Sequence, residues 1–238
     1  MSVDANEAVW KDEANIKRWA AEAAGREAKR AEPMRIMAAL LPFEDGEEFT
    51  VVDLAAGTGM AARAILDLYP NASAVLADYS PAMIDEGQKA LAAYEGRYRY
   101  VEFDLRQSSW PSGIPMPIDS AVTSQALHHL PDERKETLFR EMFERLKPGG
   151  WYVNYEPVKG PNLPVEHTWQ RLNDRFDAGL AYKRTHRSPH EQAQNENHVR
   201  YMIDLDRQLS FFRAAGYEAV DVYWKHLDYV VYGGRKPK

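Results

Sequence analysis

The stretch Thr50–Leu68 constrains the fold of this chain more than any other. Val51, Val52 and Leu54 form a short β-branched and apolar run, the pattern of a strand buried on both faces. Ala55 and Ala56 lead into Gly57-Thr58-Gly59, and Met60 to Leu68 is a run of helix formers with apolar residues at helical spacing. A strand, a tight turn of small residues and a helix in this order are the physical recipe for a nucleotide site. The glycines let the backbone turn sharply and approach a ligand, and the helix N-terminus offers unpaired N–H groups.

The following units strengthen that reading. Ala74 to Ala77 form a second buried run that ends in Asp78-Tyr79-Ser80-Pro81, so Asp78 stands at a strand's C-terminal end, 21 residues after Gly57. A doubly wound sheet places there the carboxylate that accepts the ribose hydroxyls. Up to this point a dinucleotide-dependent oxidoreductase would read the same way. A third strand, Tyr98 to Phe103, ends in Asp104-Leu105, and a fourth, Ile118 to Thr123, runs into Ser124-Gln125-Ala126-Leu127-His128-His129-Leu130. A fifth is expected over Trp151 to Tyr155, ahead of Glu156-Pro157.

The ordered set DLAAGTG, LADYS, EFDL, Gln125–Leu130 and LKPGG, spread over about Thr50 to Pro157, resembles the class I S-adenosylmethionine-dependent methyltransferases. Ala55 stands where many members carry the first glycine of the turn. The resemblance implies a doubly wound α/β fold: a mostly parallel seven-stranded sheet with an antiparallel C-terminal hairpin, a helical N-terminal arm and a helical cap insertion. It also implies S-adenosylmethionine as cofactor and S-adenosylhomocysteine as product. In that frame Asp53 fixes the turn and contacts the methionine amino group, while Ala55 and Gly57 lie under the methionyl and ribose portions. Asp78 accepts the ribose hydroxyls, a role suited to a carboxylate's two oxygens. Tyr79 and Met83 flank the adenine, Asp104 accepts its amino group beside the Leu105 amide, and Gln125 completes the cofactor set.

The 238 residues suffice for one domain with a short cap. Expected segments are a helical arm or lid over 1–49, a cofactor-binding core over 50–157, a substrate cap over 158–203, and a final helix and hairpin over 204–238. Mean hydropathy is −0.57, and no apolar run approaches the ~18 residues of a membrane span. The N-terminus carries no basic-then-apolar leader, and the absence of cysteine excludes disulfides and thiolate metal sites. A cytoplasmic location without membrane association is therefore expected. A net charge of −6 argues against a general nucleic-acid surface.

Glu7 to Leu41 reads as helix broken at Pro33, with apolar stripes Ile16, Trp19, Ala20, Ala23 and Met34, Met37, Ala38, Leu41. Trp10 and Trp19 dock this arm on the core, or one of them closes the mouth of the active site, as the family's N-terminal lids imply. His128 and His129 are candidates for a general base, or for packing of their loop. Asp132 is expected to cap the next helix, whose stripe is Leu138, Met142 and Leu146. Val158 to Arg200 holds seven Lys/Arg against five Asp/Glu, together with four of the seven histidines. Basic groups over the pocket would suit a carboxylate or phosphate on the substrate. Arg171 and Arg175, four apart on a helix, are the candidate pair, with Glu156 on the same rim. The spacing of His186, His190 and His198 fits no compact metal site, and no metal is expected.

Three functions are compatible with these features: methyl transfer to an O, N or C nucleophile of a small molecule, which the basic cap suggests is anionic; a carboxy-S-adenosylmethionine synthase-like role in tRNA wobble-uridine modification; and a non-catalytic interaction module. The acceptor's identity and the oligomeric state are not legible at this level.

Overall fold

The computed structural model describes residues 10, 12, 13, 16, 17 and 23–238. Seven strands form one sheet: β1 (Thr50–Leu54), β2 (Ser73–Asp78), β3 (Tyr98–Glu102), β4 (Ser120–Ser124), β5 (Trp151–Pro157), β6 (Glu218–His226) and β7 (Tyr229–Arg235), in the order β3-β2-β1-β4-β5-β7-β6. The pairs among the first five are parallel, and β7 runs antiparallel between β5 and β6. This is the doubly wound, mostly parallel sheet with an antiparallel C-terminal hairpin that the sequence implies. Strand order reverses between β1 and β4, and ligands bind outside the carboxyl ends of strands at such a switch point.

Period-two alternation divides the strands between two cores. Val52, Leu54, Val75, Ala77, Tyr152 and Tyr232 face one side; Val51, Ala74, Leu76, Val153 and Val231 face the other. Helix α1 (Ala23–Ala39) and α2 (Met60–Leu68) cover the second side. Helix α3 (Pro81–Ala90) follows β2, and its start is capped by Ser80, whose Oγ accepts from the Met83 N–H. Helix α4 (Asp132–Arg145) buries Leu138, Phe139 and Met142 against the first core. Three helices, α5 (Leu163–Phe176), α6 (Ala178–Thr185) and α7 (Pro189–Val199), fill the cap region. Helix α8 (Leu205–Ala215) begins at an Asp204 cap and stops at Gly216, whose φ of 99° is the left-handed conformation that closes a helix.

Two local expectations are corrected. Pro33 does not break the arm; it lies inside α1. The missing N–H and the ring clash cost about 3 kcal/mol, but Met34, Met37, Ala38 and Leu41 beyond it are all buried in the second core. Burial of four apolar side chains outweighs that cost. Asp132 does not cap α4. Pro131 occupies the cap position, and Asp132 is the first helical residue, accepting from Lys135 Nζ at 3.1 Å. Lys135 is fully buried and also donates to the Tyr201 carbonyl, so the acid serves as counter-charge to a buried ammonium. Among the described residues no helix is long and apolar enough to cross a membrane.

Candidate active site

A cavity of about 310 Å³ opens at the carboxyl ends of β1, β2 and β4. Its wall includes Ala55, Gly57, Thr58, Asp78, Tyr79, Met83, Asp104, Leu105 and Gln125. All of these except Thr58 were singled out from the sequence as cofactor residues. The turn after β1 is tightly coiled: Ala55, Gly57 and Gly59 all have positive φ, at 52°, 54° and 77°. Ala55 thus adopts at some cost a conformation that glycine takes freely. A side chain on Gly57 would stand 2.8 Å from the Met83 methyl, so the turn lies directly on the first turn of α3.

Asp78 ties that turn to β2. Its Oδ2 accepts from the Gly57 N–H at 2.7 Å and its Oδ1 from the Ser80 N–H at 2.9 Å. Burial raises its carboxyl above the usual range, and the backbone donors oppose that rise. Asp104, at the end of the neighbouring strand, forks with the Arg106 guanidinium at 2.7 Å, and Arg106 stands over the Tyr79 ring.

Asp53 is buried and is not part of the cavity wall. Its Oδ2 accepts from the Ala62 N–H at 3.1 Å, pinning the start of α2, while Oδ1 makes no hydrogen bond. Burial pushes its carboxyl up to about 7. A carboxyl raised above its unfolded value of about 4 holds a proton in the folded state that the unfolded state releases, so stability falls as pH rises from about 4 to about 7. The stability of the native chain relative to Asp53→Asn is expected to decline by up to a few kcal/mol across that window. Urea denaturation of both proteins at several pH values measures it, and parallel curves would refute the assignment.

The other half of the cavity is lined by Trp10, Arg30, Gln125, His128, His129 and His198. Gln125 follows β4 with φ of 54°, an unusual value for a residue with a side chain, and its N–H donates to the Tyr155 carbonyl at 2.7 Å. Backbone strain of this kind clusters at ligand sites. The side chain of Gln125 accepts from the Arg30 guanidinium. Arg30 reaches the cavity because α1 packs on α2 and β5. Burial lowers its affinity for the proton, and Tyr155, Tyr229 and Glu156 partly offset this.

Glu156 lies behind the loop after β4, with no exposed surface. One carboxylate oxygen accepts from the Ala126 and Leu127 N–H groups at 2.6 and 2.9 Å, and the other meets His128 Nδ1 at 2.7 Å. Burial pushes Glu156 up to about 7 and His128 down to about 3. The ring is therefore neutral, and its Nδ1 faces the carboxylate. The Trp10 ring lies 6.3 Å from the His129 ring, and the Trp10 carbonyl accepts from Ser80 Oγ. His198 comes from α7, which packs on the 127–129 turn, and burial lowers its pKa to about 4.

Arg171 and Arg175 are exposed and outside the cavity wall, because that face of α5 meets solvent. Arg184 is paired with Asp174. Trp19 lies outside the described residues. Arg30 was missed from the sequence, and His198 was considered there only for a cluster within the cap. In α1, Arg30 sits among Lys29, Glu27 and Glu32, a composition that reads as a solvated face.

Comparisons with known proteins agree with this geometry. Residues 51–150 match a methyltransferase domain family. A stretch of 122 residues is 30% identical to trans-aconitate 2-methyltransferase of Azoarcus sp. (strain BH72), covering 51% of this chain and 44% of that protein. The match therefore spans less than half the length of that relative. An O-methyltransferase family protein from Burkholderia thailandensis superposes with a TM-score of 0.70 at 16% identity, over 100% of this chain and 64% of the other. Human N-acetylserotonin methyltransferase, solved with S-adenosylmethionine, gives 0.65 at 16% identity, over 99% and 61%. Residues 51–150 thus carry the match to a methyltransferase domain, and the chain shares its fold with solved S-adenosylmethionine-dependent methyltransferases.

Proposed function

We propose that this protein transfers the methyl group of S-adenosylmethionine to a nucleophile on a small anionic molecule. The observation that carries this reading is one continuous cavity. Its rim toward β1 and β2 holds Gly57, Asp78 and Asp104; its opposite wall holds Arg30, Gln125 and three histidines. Methyl transfer requires in-line approach of nucleophile and sulfonium carbon, so positioning supplies most of the catalysis. In this arrangement α1 delivers Arg30, 50–157 form the cofactor core, and 158–203 form a cap that delivers His198. The partly buried Arg30 fork suits a carboxylate, which a planar guanidinium grips at two points. The relative named for trans-aconitate, itself a carboxylate, is consistent with an acceptor of this charge.

Arg30→Lys is expected to raise the acceptor KM by about tenfold or more, because an ammonium cannot reproduce the bidentate grip, with cofactor affinity unchanged. Steady-state kinetics over a panel of small carboxylates, with calorimetry of S-adenosylmethionine binding, checks this. An unchanged KM, or an uncharged acceptor, overturns it. The same arginine would hold the added carboxylate of a carboxy-S-adenosylmethionine. Mass spectrometry of the co-purifying nucleotide separates the two readings: S-adenosylmethionine or its homocysteine product supports the first, a carboxylated derivative the second.

A further inference from the structure

Among the described residues, His128, His129 and His198 bring three ring nitrogens, one from each, within 4.8 Å of one another. The ring centroids are 4.0 Å apart for His128 and His129, 4.4 Å for His128 and His198, and 5.9 Å for His129 and His198. All three line the cavity. The cluster is assembled from segments about 70 residues apart: two neighbours in the turn after β4, and one from α7 of the cap. We propose that these three histidines bind a divalent transition metal such as Zn²⁺.

Three features set this cluster apart from a chance meeting of imidazoles. First, His128 is already oriented as a ligand. Its Nδ1 faces the Glu156 carboxyl 2.7 Å away, and with the ring proton held between them the lone pair is left on Nε2. Metal-bound histidines characteristically donate their other ring N–H to such a carboxylate, which fixes the tautomer and raises ligand basicity. Second, that Nε2 is buried and makes no hydrogen bond, in a residue only 1% exposed. A buried acceptor left without a partner is costly, and a metal ion satisfies it. Third, all three donors are imidazole nitrogens, with no carboxylate oxygen among them. That combination disfavours Mg²⁺ or Ca²⁺, which require oxygen ligands, and favours a metal that bonds strongly to imidazole. Zn–N bonds of about 2.0–2.1 Å require the nitrogens to draw together by roughly an ångström. Three protein ligands leave a fourth position open. That position opens on the cavity, so under the methyl-transfer reading it would take an anionic oxygen of the acceptor, on which Arg30 also acts.

Titration of the full chain with Zn²⁺ by calorimetry, and with Co²⁺ by visible absorption, tests the proposal without reference to activity. One metal per chain is expected, with Co²⁺ giving the intense bands of a four-coordinate site. His198→Ala, at a partly exposed helix position, should weaken binding about a hundredfold or more, and Glu156→Gln by about 10–100-fold through loss of the orienting contact. Binding that survives His198→Ala unchanged, or Co²⁺ with only the weak bands of a six-coordinate ion, overturns the site. S-adenosylmethionine affinity measured on the same samples keeps the two readings apart: a metal site in a chain that does not bind the cofactor refutes the methyl-transfer reading alone, and cofactor binding without metal refutes this inference alone.

Discussion

Asp78→Ala is expected to lower affinity for S-adenosylmethionine by about a hundredfold or more. Hydrogen bonds to a charged acceptor contribute about 1.5–3 kcal/mol each, and a ribose diol would make two. Every 1.4 kcal/mol is about tenfold in affinity. The same carboxylate also receives the Gly57 and Ser80 N–H groups at 2.7 and 2.9 Å, so its removal also releases the turn after β1. Asp78→Asn keeps one acceptor oxygen and should lose less. Calorimetry on folded variants decides the matter. Undiminished affinity in Asp78→Ala would remove this residue from the cofactor site.

The second large effect is on stability. Glu156→Ala leaves the Ala126 and Leu127 N–H groups and the His128 ring N–H without their buried acceptor. An unsatisfied buried donor costs about 1–3 kcal/mol, so a loss of roughly 3–6 kcal/mol of unfolding free energy is expected, near the whole stability of many domains. Glu156→Gln retains an oxygen for the two amides and should cost markedly less. Urea denaturation measures both. An unaltered midpoint in Glu156→Ala would show that the loop after β4 is held by other contacts.

The parts of the site legible in the sequence are those built from neighbours in the chain. The β1 turn, the Asp78 rim and the Ser80-Pro81 helix start each rest on a pattern a few residues long, in which strand, turn and cap chemistry agree. The sheet followed from the ordered set of motifs, whose resemblance implied the doubly wound topology.

What was not legible depends on contacts made far along the chain. A stripe of charges on a helix does not say which arginine turns inward. Packing of α1 on β5 selects Arg30, whereas the exposed face of α5 keeps Arg171 and Arg175 in solvent. The histidine cluster was hidden for a related reason: spacing within the cap was the wrong measure, because His198 meets partners about 70 residues earlier. Glu156 looked like a rim residue, and lies instead behind its loop as the acceptor of two amides and a ring. Pro33 misled because local preference is weaker than the burial of the four residues that follow it.

Residues 51–150 supply Gly57, Asp78 and Asp104 on one wall and Gln125, His128 and His129 on the other, which Arg30 and His198 reach from outside that stretch. On the proposed reading, inheritance can therefore reshape the second wall in part while leaving the first untouched. A lineage that exchanged its arm and cap, through insertion, deletion or recombination at their borders, would then re-aim the proposed reaction at a new acceptor while the donor's seat is kept whole. Sequence likeness over the core would then be a record of shared donor chemistry, and kinship in what is modified would lie largely in the flanking segments.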